Sequence, residues 1–477
     1  MIFNSIEFAI FLPIVYCIYW FLLKGRTNWQ NAFIILSGFV FYGWWDWRFL
    51  FLLLFTALVD YFIGRSLGVV ESIKKRKLLL TISVLCNIGL LGFFKYYNFF
   101  VDSFVSAFRF FGYQPTTDSL QLILPVGISF YTFQSLGYSI DAYRRKLQPE
   151  KNVITFLGFV SFFPQLLAGP IERATNMLPQ FRKERKFDYN QSVDGLKQVL
   201  WGLFKKVVIA DNCASWVNMA FDNPHAYNGT TLFVAALLFA FQIYGDFSGY
   251  SDMACGIARL FGFQYMQNFN YPYFSRTISE FWRRWHISLS TWFRDYVYFP
   301  LGGSAGSMAK TIRNTMIIFL VSGFWHGANW TYIAWGAING LYFLPGLISR
   351  SNRKYLDIIG NSGRISTIEW ARMLFTFFLT TMAWIYFRAR SIQEANAIVY
   401  EILFNNKWQL PQFMPTAVFA GIAILLLIEW MGRRNPYPIQ HFFVNSPTPV
   451  RWGFYCLICL SIYFFGGREQ TFIYFQF

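Results

Sequence analysis

Charge is what this sequence has least of. Only 14% of its 477 residues are Asp, Glu, Lys or Arg, against about 25% in an ordinary soluble domain, and no hydrophilic stretch is long enough to build a soluble domain. Histidine is scarcer still, at four residues. The apolar segments show no alternation of apolar and polar residues, which excludes a membrane β-barrel, and no internal repeat is visible. Cys456 and Cys459 form a Cys-x-x-Cys, but an aliphatic run surrounds it and no second Cys or His pair is nearby. Neither a zinc site nor redox chemistry is expected. The six cysteines are expected to pack.

What is abundant is apolar and aromatic, 55% and 22% of the chain. It comes in runs at 8–23, 31–45, 49–63, 78–94, 153–169, 207–221, 232–244, 315–348, 373–387, 415–430 and 452–465. A helix crossing the bilayer core needs roughly 20 largely apolar residues, and only helices satisfy their own backbone in lipid without closing a barrel. The expectation is an all-α, polytopic integral membrane protein with one membrane domain over residues 1–477. The first run starts at Met1 without a basic n-region or small-residue cleavage site, so it reads as a retained helix, not a signal peptide. Lys and Arg outnumber Asp and Glu by 41 to 24, a net +17. These cations sit in short loops, as the positive-inside rule requires, and imply membrane lipids, not nucleic acid, as the contacting polyanion. A minor share could attract an anionic, nucleotide-bearing cofactor.

The basic clusters suggest a topology. Lys24 and Arg26 follow the first helix, while residues 1–7 carry no basic side chain, which places the N-terminus outside. Arg65 with Lys74, Lys75, Arg76 and Lys77, and then Arg144, Arg145, Lys146 and Lys151, mark further inside loops. Run 153–169 is short and basic at both ends. It contains Pro164 and ends in Gly169-Pro170, so a re-entrant segment is expected. Gly245–Asp252 reads as a similar polar interruption. Asp246 and Asp252 there either pair with nearby arginines or act on substrate or protons. Over 276–294, Trp282, Trp285, Leu289 and Trp292 recur at helical spacing among arginines, which predicts an interfacial helix. The stretch between Arg313 and Arg350 predicts a helical hairpin. Arg388 and Arg390 fall outside on this count, against the rule.

Two histidines stand out. His225 and His441 lie in loops beside Pro224 and Pro438 and read as bystanders. His326 lies thirteen residues beyond Arg313, roughly 20 Å into a core of about 30 Å. An imidazole there is costly unless hydrogen-bonded or facing a wet cavity. Catalytic, structural and ligand-gating or proton-relay roles all stay open on that evidence. Its neighbours include Trp325, a candidate cavity wall, and Asn329, a candidate to orient the ring or hold an oxyanion. His286, beside Arg283 and Arg284, is either an interfacial packing residue or a helper in the same cavity. A histidine of near-neutral pKa could take the proton from a hydroxyl attacking a thioester, with amide or cationic groups holding the oxyanion.

The segments FFPQLLAGPIER (162–173), VLWGLFKKVVIADN (199–212), YGDFSGYSDMA (244–254), FWRRWHISLSTWFRDYVYFPLGG (281–303), SGFWHGANWTYIAWG (322–336) and FIYFQF (472–477) together resemble the membrane-bound O-acyltransferase superfamily. The resemblance is to its bacterial alginate O-acetylation branch, with peptidoglycan and cellulose O-acetylation relatives, and it covers essentially the whole chain. It implies about 10–12 transmembrane helices with re-entrant and interfacial helices, His326 as catalytic histidine and His286 as a second functional position. It also implies acetyl-CoA as donor substrate with no bound cofactor, a periplasmic SGNH-hydrolase-like partner, a polysaccharide as indirect acceptor, and a bacterial inner membrane location. One departure is visible: Asn339-Gly340 stands where relatives often carry His-Gly. Two other classes compete. A transporter or flippase would use His326, Asp246 and Asp252 as a proton relay, and would be expected to show duplicated halves. A scaffold without activity would bury His326 in a dry core.

Overall fold

The computed structural model describes residues 1–110, 120, 122–360, 365–405, 409–466, 470 and 472–473. Every regular element among them is helical. The last four residues of the FIYFQF segment lie outside the described residues. Two compact units divide the chain, residues 1–189 with 261–264, and residues 190–260 with 265–477.

The first unit contains α1 (Ile6–Cys17), α2 (Thr27–Asp46), α3 (Phe49–Val69), α4 (Ile73–Leu91), α5 (Tyr97–Phe110), α6 (Ile128–Tyr143), α7 (Val153–Ser161), α8 (Phe163–Leu166) and α9 (Ala174–Arg182). Its centre is α6, which no apolar run announces. The helix is buried at almost every position, Gln134, Ser135, Ser139 and Asp141 included. Such polar groups survive burial when hydrogen-bonded. Gln134 Nε2 donates to the Phe159 carbonyl at 3.1 Å. Ser139 Oγ and Ser83 Oγ donate to Asp60 Oδ1 at 2.7 and 2.5 Å, and Asn87 Nδ2 donates to Asp60 Oδ2 at 2.8 Å. One buried carboxylate thus ties α3, α4 and α6 together. Run 153–169 is interrupted as expected. Phe162 turns extended between α7 and α8, and Pro164 occupies the first turn of α8, where its missing N–H costs nothing.

The second unit contains α10 (Tyr189–Leu203), α11 (Asp211–Asp222), α12 (Gly229–Leu260), α13 (Ile278–Arg284), α14 (Ile287–Phe293), α15 (Met308–His326), α16 (Trp330–Ile348), α17 (Thr367–Arg388), α18 (Ile392–Leu403), α19 (Thr416–Gly432) and α20 (Thr448–Phe465). The interruption expected at Gly245–Asp252 does not occur, because that segment lies inside the continuous 32-residue α12. Its glycines serve close approach. A Cβ on Gly245, Gly249 or Gly256 would strike the backbone oxygens of Lys205, Gly202 and Gly195 respectively. A π-helical stretch, Phe204–Ala210, joins α10 to α11 on that surface. The core of α12 is 83% buried, whereas α20 is 6% buried. One is the axis of the unit and the other its edge.

Burial follows lipid, not water. Phe21, Leu374 and Tyr463 are at least 66% exposed, while Lys205, Lys206, Asp246 and Glu429 are all below 5%. Soluble monomers do not expose apolar side chains on this scale. Four segments among the described residues are long and apolar enough to cross a membrane: 49–69, 73–109, 229–260 and 448–465. Helices α2, α15, α16 and α17 are long enough too, at 19 to 22 residues. Shorter apolar helices occupy 6–22 and 416–432. The cysteines divide: Cys213 and Cys255 are buried, but Cys17, Cys456 and Cys459 are exposed on the apolar surface, so packing accounts for only part of the set.

Candidate active site at the histidine pair

The expected interfacial helix over 276–294 is two short helices, α13 and α14, broken at Trp285–His286. His286 takes a left-handed backbone, φ 45°, as the residue before α14. A non-glycine residue there costs about 1–3 kcal/mol and persists only where its surroundings impose it. Asn268 imposes it. The Asn268 carbonyl accepts from Ile287 N–H and the Asn270 N–H donates to the Arg284 carbonyl, both at 2.9 Å. Asn268 Oδ1 also accepts from the Ser288 N–H at 3.1 Å and the Ser288 hydroxyl at 2.9 Å, and it faces His286 Nδ1 at 3.2 Å. Because the Ser288 N–H can only donate, the Asn268 oxygen must be the atom facing His286. The proton therefore belongs on Nδ1, which leaves Nε2 with the lone pair.

His326 closes α15 at the tip of the α15–α16 hairpin. The hairpin was expected, and it is there. At 1.5 Å per residue the 19-residue α15 runs about 28 Å, so His326 lies at its far end. The hairpin packs closely through glycine, since a Cβ on Gly323 or Gly336 would strike the Tyr332 and Phe319 carbonyls. The two imidazoles lie 6.5 Å apart between ring centroids. Rings enclose them: Trp325, Trp335 and Phe387 stand 5.0, 5.1 and 5.4 Å from His326, and Phe247 meets His286 edge-on at 4.6 Å. Trp285 and Trp335 both pack on Trp384. His286 and His326 are 1% and 4% exposed. Imidazoles from two segments are thus held 6.5 Å apart in a buried aromatic setting, where electrostatic stabilisation acts more strongly than in water.

Residues 148–389 match the model of "MBOAT, membrane-bound O-acyltransferase family". The chain belongs to the membrane-bound O-acyltransferase family. It is 38% identical over 451 residues to a "Probable alginate O-acetylase AlgI" of Pseudomonas aeruginosa, covering 92% of this chain and 83% of that one. It is 31% identical over 531 residues to the "Peptidoglycan O-acetyltransferase" of Helicobacter pylori, covering 100% and 98%. A "Teichoic acid D-alanyltransferase" of Streptococcus thermophilus matches at 32% identity, over 48% of this chain and 58% of that one. The protein is therefore a multi-pass membrane enzyme, an O-acyltransferase.

In this O-acyltransferase the other expected site residues fall in several places. Trp325 stands beside both histidines, 5.0 Å from His326 and 6.1 Å from His286. Asn329 does not face the ring it was expected to orient. Its Oδ1 caps α16 by accepting from the Thr331 N–H at 3.0 Å, and its Nδ2 donates to the Arg390 carbonyl at 3.2 Å. The oxyanion candidates Arg283 and Arg284 are tied elsewhere. Arg283 donates to the Asn352 and Tyr355 carbonyls, and Arg284 donates to Glu280 and the Asp357 carbonyl. Asp246 and Asp252 do pair, but with lysines where arginines were expected. Lys205 meets Asp252 at 2.5 Å, and Lys206 meets Asp246 at 2.7 Å and Asp211 at 2.8 Å. Asp246 also accepts from the Ile473 N–H at 2.6 Å. That seats Phe472 against Tyr250 and Phe247, the ring that packs on His286.

Asn268, Ser288, Phe247 and Trp384 went unnoticed in the sequence. Only Ser288, two residues from His286, carried any signal in the sequence. The lysines are legible as a Lys-Lys pair in an otherwise apolar run. Among the described residues no group of three or more His, Cys, Asp or Glu is placed to hold a metal ion.

Proposed function

We propose that this O-acyltransferase takes an acetyl group from cytoplasmic acetyl-CoA and delivers it, through a central passage in a bacterial inner membrane, to an extracytoplasmic acceptor. That acceptor is either a periplasmic SGNH-hydrolase-like partner that acetylates a polysaccharide or the polysaccharide itself. The observation carrying this reading is the pairing of His326 and His286 at 6.5 Å. His326 acts as general base. Its imidazole takes the hydroxyl proton of the acceptor as the oxygen attacks the thioester carbonyl, and returns that proton to the thiolate when the carbon–sulfur bond breaks. One ester forms, one thioester is lost, and no net proton is consumed. His286, held through Nδ1 by Asn268, orients the second side of the pocket. Support for an O-acetyl product comes from the relatives named as alginate O-acetylase and peptidoglycan O-acetyltransferase.

Both rings are buried, so the reading requires the aromatic wall to move and admit donor and acceptor. Trp325 and Phe387, which pack directly on His326, are the rings that must give way. Purified protein supplied with labelled acetyl-CoA and a soluble hydroxyl acceptor tests the proposal. His326→Ala is expected to abolish transfer, by at least the 10²-fold typical of a lost general base, while His225→Ala retains it. Full transfer by the His326 variant sinks the assignment.

A further inference from the structure

A cavity of about 580 Å³ opens in the first unit, far in sequence from the histidines, lined by Arg26, Trp29, Glu150, Asn152, Phe181 and Arg182 among others. Its charges are unevenly used. Glu150 is 4% exposed and fully engaged: it accepts from Arg182 Nε at 2.7 Å and from the backbone N–H groups of Lys151 and Asn152 at 2.9 Å each. Arg182 spends only that one nitrogen, so its two terminal nitrogens make no protein hydrogen bond among the described residues. The Arg26 guanidinium makes none at all among them. The cavity therefore presents a tied-down acid and two cations with free planar N–H donors, the geometry that suits a phosphate oxygen pair. Arg26 also precedes α2 without capping it by its side chain, so the amides of the first turn add to the positive field there.

What lies below the cavity fixes the rest of the ligand. Trp29, Leu36, Val40 and Trp44 are 66%, 57%, 45% and 61% exposed. At spacings of seven, four and four residues they share one face of α2. That is a lipid-facing stripe, and Trp29 at its end sits where an indole marks the headgroup level. The cationic cavity thus tops an apolar track on the same helix.

We propose that this cavity is a binding site for an anionic glycerophospholipid. Its phosphate is held between Arg26 and Arg182, its glycerol lies against Trp29, and its acyl chains run along the α2 stripe. Basic pockets at the ends of membrane helices recognise anionic headgroups in this way. The site needs no catalysis to be occupied, so its test is separate from the acyl-transfer reading.

The experiment is lipid retention by the full-length protein, measured by native mass spectrometry. Phosphatidylglycerol and phosphatidylcholine of identical acyl chains are titrated into detergent-solubilised enzyme, with coenzyme A as a competing arm. Phosphatidylglycerol is expected to bind preferentially, and R26Q to weaken it roughly fivefold, the weight of one cation near an anionic surface. W29A should weaken both lipids. R26Q breaks no hydrogen bond of the described fold, so its thermal unfolding should match the parent. Equal retention of the two lipids, or an R26Q protein that keeps full preference, overturns the proposal. Displacement of phosphatidylglycerol by coenzyme A in the parent but not in R26Q would overturn it too, because the cavity would then be a nucleotide phosphate subsite.

Discussion

His286 owes its orientation to an amide that reads, in sequence, as one more loop residue. Asn268 Oδ1 takes three donors at once, two from Ser288 and one from the imidazole, while its Nδ2 donates to Ser251 Oγ on α12 at 3.1 Å. Replacing it with alanine leaves a buried imidazole N–H without its acceptor, a loss of about 1–3 kcal/mol. Asn268→Ala is therefore expected to lower kcat some tenfold to a hundredfold with little change in the donor KM. Asn268→Asp keeps an acceptor facing Nδ1 and should recover part of the rate. Its added negative charge, next to a ring that must then carry a proton more readily, should shift the pH profile upward. Steady-state kinetics of the two variants across pH decide it. A uniform loss in both, with an unmoved profile, would mean that Asn268 holds the fold and not the ring.

Helix existence was legible wherever an apolar run was long. Runs 31–45, 49–63, 78–94, 373–387, 415–430 and 452–465 all fall within or overlap helices of the structure, since only helix satisfies the backbone in lipid. Misreadings cluster where a polar residue is buried, not exposed. Helix α6 went unread because Gln134, Ser139 and Asp141 look like a loop until their partners are known. Gly245–Asp252 was read as a break because two acids and two glycines suggest one. The acids are instead met by Lys205 and Lys206, and the glycines let α10 and the π-helical stretch approach within backbone contact. For the site, His326 stood out on scarcity and depth, and His286 on scarcity and the motif around it. The second neighbours were not, because Asn268 and Phe247 reach His286 only through tertiary structure.

The same lysines set the stability of the element. Lys205 is 3% exposed at its side chain, pairs with Asp252 at 2.5 Å and donates to Ser248 Oγ at 2.9 Å. Removing one partner of a buried pair leaves an uncompensated charge and costs about 3–5 kcal/mol, whereas removing both is far milder. Lys205→Met is expected to unfold at clearly lower temperature in detergent, and Lys205→Met with Asp252→Asn to regain most of the loss. Additive losses in the double variant would show that the two side chains do not depend on each other.

Across the whole molecule the distribution of charge orders the bundle, and the second unit carries the one conflict with the positive-inside rule. Arg350, Arg353, Lys354 and Arg364 precede the 22-residue α17, which ends in Arg388 with Arg390 just beyond. If α17 crosses once, one of these basic groups lies outside. The structure supplies a reason for the second group to be the tolerated one. Arg390 pairs with Asp222 at 2.6 Å, and Arg388 lies 3.7 Å from the same carboxylate while donating to Asn218 Oδ1 at 2.9 Å. Two cations sharing an acid and an amide present less free charge than two unpaired ones would. Lys354 and Gln393, both exposed, report the two ends. In a cysteine-free background, Lys354→Cys should resist a membrane-impermeant maleimide until the membrane is opened, and Gln393→Cys should label from the opposite side of that membrane. Should both positions label from the same side, α17 does not cross alone, and Arg388 and Arg390 obey the rule they are expected to break.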